Sequence, residues 1–392
     1  MVHSETMTTI TALHVIRNAP VSIAFERNIQ IVDGLITAPE GLPYVAPGWI
    51  DLQVNGFAGV DYNSPETPHE EIARSIEVLF STGVTRFFPT VITGSPEGMA
   101  GALRNLAEAR ERLPHGRAME GFHVEGPHIS PEDGPRGAHP AEWVRPPDFD
   151  EYRRWQEAAR GAVRIVTLSP EWPEAPAYIE KLVADGVVVA IGHTKATAEQ
   201  LEAAVKAGAA MSTHLGNGSH AVLPRFPNYI WDQLADDRLA AGFIVDGIHL
   251  PGAFVKVAVR AKGPERSILV TDAVAPACSA PGPYRIGGVE VELHPGDRVT
   301  LRGKNQLAGS ALRMDRGVEN LVRLAGVSLP VAVTMATRNP ARVARIPGRQ
   351  RGLEAGERAD LIEFRYDAES NRIEILRTWL DGELVYRRAA GG

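Results

Sequence analysis

The chain has 392 residues, 44% of them hydrophobic and 23% charged, and a net charge of −7. This composition fits a soluble globular enzyme, and the acidic balance argues against nucleic acid or an anionic membrane as a general partner. The single cysteine, Cys278, excludes an internal disulfide and suits a reducing cytosol. The opening MVHSETMTTITALHV has no basic stretch followed by an apolar core, so no secretory signal is expected. No run approaches the ~20 apolar residues of a membrane span, and a cytoplasmic location is expected.

Residues 1–46 carry short alternating runs such as SIAFERNIQIVDG, the pattern of half-buried strands. From Pro47 to about Ile346, strand-like and helix-like segments alternate, which predicts a parallel α/β domain. Eight strand candidates follow in order: GWIDLQVNG, VTRFFPTV, MEGFHVEG, AVRIVTLSPE, VVVAIGH, AAMSTHLG, AAGFIVDGIH and SILVTDA. Helical patterns separate them, among them Glu70–Gly83, Ala175–Gly186 and Thr197–Gly208, each ending on glycine as a helix C-terminus favours. An open doubly wound sheet would carry fewer strands and a glycine-rich first turn, which is missing. The expected fold is therefore α/β, a closed (β/α)8 TIM-like barrel. Residues 284–306 alternate again and read as a β-excursion after the eighth strand, and ADLIEFRY and RIEILRTWLDGELVYRR continue as strands to the C-terminus. Residues 1–46 and 347–392 are expected to build one small β-sandwich domain beside a catalytic barrel of residues 47–346.

Polar residues gather where the apolar runs end. Glu125 closes AMEGFHVEGP, His193 closes VVVAIGHT and His214 closes AAMSTHLGN. Strand C-termini are where such barrels place their reactive groups. Two imidazoles and a carboxylate hold a divalent metal and leave one position open, the pattern of a hydrolytic site. Asp272, at the end of SILVTDAVAP, is then placed to handle protons. His123 precedes Glu125 by two on the same strand side and reads as a packed support. His128 and His220 read as solvated or gate-loop residues, and Cys278 as a buried, inert thiol.

In order between residue 47 and about 361 come PGWIDLQVNG, GFHVEGPHI, RGAHP, IGHTKAT, STHLGN, DGIHL, LVTDAVAPA, LAGSALRMDRGVENLV, ATRNPAR and GLEAGERADL. Together they resemble the N-acetylglucosamine-6-phosphate deacetylases of the amidohydrolase superfamily. The resemblance implies an amidohydrolase-type barrel with a β-sandwich made from both termini. It implies Glu125, His193 and His214 as metal ligands and Asp272 as the proton-shuttling carboxylate. His139, in RGAHP, matches the histidine that holds and polarises the acetyl carbonyl. His249 and Arg225 match contacts to the sugar phosphate, and Asn217 and Gly218 match a turn whose backbone N–H groups meet the same phosphate. The neighbouring subunit supplies part of these contacts in the family, which implies a homodimer with the site near its interface. The implied substrate is a phosphorylated amino sugar, N-acetylglucosamine 6-phosphate, split into glucosamine 6-phosphate and acetate.

Many amidohydrolases end the first strand in His-x-His, whose imidazoles hold a second metal. Here Gln53 and Asn55 occupy those positions, and amides are poor ligands beside imidazole. One divalent metal per subunit is expected, zinc by its ligand set, with iron or manganese as alternatives. The same Gln53 argues against the cyclic-amide and dipeptide hydrolases of the superfamily. After His214 the family usually reads L-x-N-A-M and then R-E-P-G, whereas this chain reads LGNGSHAVLPRFPNYIWDQL. Asn217, Arg225 and Pro227 remain, but Phe226 and Asn228 replace Glu and Gly, and Trp231 is bulky. The altered loop Gly216–Trp231 keeps open an unphosphorylated or epimeric N-acetyl amino sugar, or a non-catalytic sugar-binding role. Gly309 and Ser310 resemble a loop near the sugar, as substrate contact or simple turn.

Overall fold

The computed structural model describes residues 7–35 and 39–389. Residues 1–6, 36–38 and 390–392 of the expected terminal domain lie outside the described residues. Eight parallel strands follow one another in chain order: Trp49–Val54, Val84–Ile92, Phe122–Glu125, Val163–Leu168, Val188–Ile191, Met211–Ser212, Ala240–Ile244 and Ser267–Val270. A parallel bridge from Val54 to Ala273 joins the first strand to the end of the eighth and closes the barrel. Neighbouring residues point to opposite faces, so Phe88, Leu52, Ile165, Met211 and Val270 fill the interior. Phe87, Val54, Val124 and Phe243 instead pack outward against helix residues such as Ile76, Leu103, Ile179 and Val255. Burial on both faces explains why the strands are nearly continuous apolar runs.

Helix His69–Ser81 starts one residue before its predicted Glu70, and helices Ala175–Ala184 and Ala198–Ala207 lie within the predicted spans. The last shows why: Thr197 accepts from Gln200 N, Gln200 returns the bond to Thr197 N, and Gly208 ends the helix at φ 112°. That is a capping box at one end and a left-handed stop at the other.

The two termini meet in one seven-stranded sheet, with Tyr44–Pro47 from the N-terminal part parallel to Thr8–His14 and antiparallel to Leu361–Asp367. The sheet curls over its own core of Ile10, Ile23, Phe25, Val45, Leu361 and Trp379. Its far edge returns to the chain near Leu361, where Ile29 N donates to Glu357 O. A buried ion network joins this sheet to the barrel. Arg86 of the second strand meets Asp360 at 2.8 Å and Asp381 at 2.6 Å, and Arg349 meets Asp360 at 2.5 Å.

The predicted excursion is an antiparallel three-stranded sheet, Gly282–Ile286, Val289–His294 and Arg298–Leu301. Asp61 Oδ2 accepts from Gly287 N at 2.8 Å and so ties its first turn to the barrel. This small sheet roofs the mouth of the barrel.

Candidate active site

Glu125 is the last residue of its strand, whereas His193, His214 and Asp272 each follow theirs by two. These three hold left-handed backbones, with φ of 49°, 27° and 51°. L-residues adopt that region at a cost of about 1–2 kcal/mol, and it persists where surroundings enforce it, often at functional sites. The turn re-aims each side chain from the sheet into the barrel mouth.

Glu125, His193 and His214 offer three ligand atoms within 4.8 Å of one another, all on buried residues. His214 Nε2 lies 2.9 Å from Glu125 Oε1, His193 Nε2 lies 3.3 Å from the same oxygen, and the two ring nitrogens are 3.2 Å apart. A cation bonded at about 2.0–2.2 Å to each atom spans such a triangle. His193 Nδ1 lies 2.8 Å from Pro135 O, a pure acceptor, so Nδ1 carries the hydrogen and Nε2 presents its lone pair. Burial would raise the Glu125 carboxyl, but the adjoining imidazoles of His193 and His214 hold it well below the usual range. The residues present fit a divalent metal.

Asp272 stands beside this triangle. Its Oδ1 accepts from Asn55 Nδ2 at 2.7 Å and from Gln53 Nε2 at 3.1 Å, and the same Gln53 nitrogen reaches Glu125 Oε1 at 3.0 Å. The Gln53 amide thus bridges the two carboxylates and the Asn55 amide holds Asp272, at the positions where imidazoles would hold a second cation. Burial, and then the nearby Glu125 charge, push the Asp272 carboxyl up to about 6. His139 is buried against His193, with ring centroids 4.4 Å apart and Nδ1 2.8 Å from Thr93 Oγ1. Burial, followed by the charge of His193, brings it down to about 3, so it stays neutral. His249 Nδ1 lies 2.6 Å from Asp246 Oδ2.

Glu125, His193, His214, Asp272, Asn55, His139 and His249 line one cavity of about 160 Å³, together with Asn217 and Gly218. Its far wall is apolar: Ile286, Val289 and Val291 from the roof sheet, and Leu307. A Cβ on Gly218 would stand 2.6 Å from His193 Nδ1 at a φ of 56°, so glycine is required for the loop to lie flat on that ring. Arg225 is exposed and does not line the cavity. Gly309 lines the wall, while Ser310 turns away to donate to Thr271 O.

Three sequence readings can be set against this geometry. His123 is wholly buried, its ring nitrogens meeting Leu52 O and Thr167 Oγ1, and it supports rather than ligates. His128 is not solvated: it is fully buried between the rings of Trp155 and Tyr178, with Nδ1 at Arg145 O. Cys278 is exposed rather than buried, in a turn with φ 61°. The sequence reading missed Thr93, Asp246 and the apolar roof. Only Asp246 carried a local signal, three residues before His249.

A family model described as the amidohydrolase family matches residues 44–385. The chain belongs to the amidohydrolase family. Amidohydrolases are metal-dependent, in keeping with the Glu125, His193 and His214 triangle. The chain is 33% identical over 326 residues to the N-acetylglucosamine-6-phosphate deacetylase of Bacillus subtilis (strain 168), covering 82% of this chain and 81% of that one. It is 32% identical over 372 residues to the N-acetylgalactosamine-6-phosphate deacetylase of Escherichia coli O157:H7, covering 92% and 95%. The structure of a Mycobacterium smegmatis N-acetyl-D-glucosamine-6-phosphate deacetylase mutant, in complex with N-acetyl-D-glucosamine-6-phosphate, matches with a TM-score of 0.86. That match has 30% identity and covers 97% of this chain and 99% of that chain.

Proposed function

We propose that this amidohydrolase removes the acetyl group of N-acetylglucosamine 6-phosphate, giving glucosamine 6-phosphate and acetate. The observation that carries the reading is the convergence of Glu125, His193, His214, His139 and Asp272 on one cavity in a chain related to sugar-phosphate deacetylases. One divalent cation per subunit, zinc by its ligand set with iron or manganese as alternatives, would be held by Glu125, His193 and His214. When bound, it lowers the pKa of water toward about 7 and polarises a carbonyl.

The chain's own residues divide the remaining work. Asp272, held at about 6, is ionised at neutral pH yet able to give a proton back. It takes a proton from the attacking water and returns it to the amine nitrogen as the C–N bond breaks. The tautomer with hydrogen on Nε2, its Nδ1 accepting from the Thr93 hydroxyl at 2.8 Å, lets the neutral His139 hydrogen-bond the acetyl oxygen as negative charge grows there, keeping its own proton. Asn217, Gly218 and His249 take the sugar phosphate.

Arg225 is exposed on its own subunit, which suits a homodimer in which the partner subunit's Arg225 completes the phosphate contacts. Arg225→Ala should then raise KM for the phosphorylated sugar far more than for the free sugar; equal effects would count against that role. We take residues 1–46 and 347–392 as the small domain and 47–346 as the barrel, and the cytoplasm as the place of action.

A second reading, the galactosamine epimer, is favoured by relatives of that specificity at 32% and 35% identity. Acetate release should be compared on N-acetylglucosamine 6-phosphate, its galacto epimer and the free sugars. The account expects the highest kcat/KM on the first. Equal kcat/KM on free and phosphorylated sugar removes the phosphate, and a higher value on the epimer exchanges the sugar.

A further inference from the structure

Asn55 stands in the cavity wall with its two amide ends in different situations. Its Nδ2 lies 2.7 Å from Asp272 Oδ1 and 3.4 Å from Ala273 O. An ionised carboxylate and a peptide carbonyl only accept, so these neighbours fix the amide orientation with nitrogen toward them. Its Oδ1 therefore points elsewhere, and that atom is buried with no hydrogen-bond partner among the described residues. The residue as a whole is 2% exposed. A buried carbonyl oxygen without a donor is destabilising, and such atoms call for a specific reason.

The backbone holds this side chain in place. Asn55 N donates to Ala273 O at 2.7 Å, and Asn55 O accepts from Tyr62 N at 3.1 Å and from Asn63 Nδ2 at 3.2 Å. Gln53 repeats the pattern, with its nitrogen on Glu125 and Asp272 and its Oε1 unpartnered among the described residues, but it does not line the cavity. Of the two, only Asn55 stands in the wall that faces the reacting group.

We infer that Asn55 is a positioning residue for the proton shuttle: Nδ2 fixes the orientation of Asp272, and the buried, unpaired Oδ1 is tolerated because the nitrogen end is committed to that carboxylate. No new covalent step is added, since Asn55 neither gains nor loses a proton. The inference rests on the deacetylase reading above.

Asn55→Leu removes both hydrogen-bonding ends at similar volume, and Asn55→Asp keeps shape and acceptor but replaces the donor with a like charge beside Asp272. With the metal-loaded protein and N-acetylglucosamine 6-phosphate, the leucine variant should lose about 10- to 100-fold in kcat, the range of a lost charge-assisted hydrogen bond, with KM within about threefold. Metal per chain should match wild type, because Asn55 bonds to none of the three proposed ligands. The aspartate variant should move the acid limb of the kcat/KM profile to higher pH, since a like charge disfavours ionised Asp272. It also carries the test if the leucine variant does not fold.

Wild-type kcat in the leucine variant, or a loss that tracks lost metal, overturns the inference. A wild-type protein inactive on every N-acetyl amino sugar would instead sink the reading beneath it.

Discussion

His193, His214 and Asp272 share a backbone conformation that costs stability, and the same turn gives each its aim into the cavity. Asp272→Gly should relieve the left-handed strain, about 1–2 kcal/mol, and remove a carboxylate that burial already disfavours as an anion. Urea unfolding of the metal-free variant should show equal or greater stability than wild type, with turnover lost. A clearly less stable variant would mean that its bonds to Asn55 and Gln53 outweigh the strain. Asp272→Asn keeps the shape and tolerates the same φ, so bound metal should stay at the wild-type level. Turnover should fall about 10²- to 10⁴-fold, the worth of general acid–base catalysis; a loss under tenfold would contradict the shuttle. Glu125, His193, His214 and Asp272 were legible in the sequence because each ends an apolar run and stands out against it. Thr93 was not, since its bond to His139 spans 46 residues and no local pattern announces it. His128 misled for a related reason. Its polar surroundings in sequence suggested solvent, while its burial comes from Trp155 and Tyr178, far along the chain.

Among the elements, the roof sheet is the one whose position the sequence could not give. Its alternation predicted strands, and strands it has, but only the tertiary fold lays Ile286, Val289 and Val291 over the cavity. Its tether is local and specific. Asp61 accepts from both Asn63 N and Gly287 N, and burial pushes its carboxyl up to about 6 despite those bonds. Asp61→Ala should loosen the roof and raise KM several-fold for the sugar phosphate, roughly the effect of one lost hydrogen bond. Bound metal should not change, and an unchanged KM would show that the roof needs no such tie. The barrel strands were legible as eight apolar runs, yet their ends were not. The sixth is only Met211–Ser212, because the chain leaves the sheet early for His214 to turn inward. Cys278 lies in another such turn, and its apolar neighbours in sequence gave a false impression of burial.

At the scale of the whole molecule, the joint between sheet and barrel is charged. Asp360 is wholly buried between Arg86 and Arg349, and also accepts from Asp381 N at 2.8 Å. Burial alone would raise its carboxyl, but the two guanidinium charges hold it far below the usual carboxylate range. Its stabilisation is therefore present at pH values above the unfolded pKa of about 3.9 and fades as the pH falls below it. Asp360→Asn leaves two buried arginines poorly paired and should cost about 3–5 kcal/mol, read as a lower urea midpoint at pH 7. That deficit should shrink toward pH 3; a constant deficit across the range would rule out ionic pairing as its cause. The sequence showed that both termini form strands but gave no sign of this network, whose members lie up to 295 residues apart. The central claim, a cation held by Glu125, His193 and His214 that serves amide hydrolysis, is most directly tested by titrating chelator-stripped protein with zinc while following acetate release from N-acetylglucosamine 6-phosphate. The account predicts that activity rises with bound metal to a plateau at about one cation per chain, and that His193→Ala neither binds nor turns over. Full activity in the stripped protein, or tight binding that restores none with any divalent metal, would contradict it.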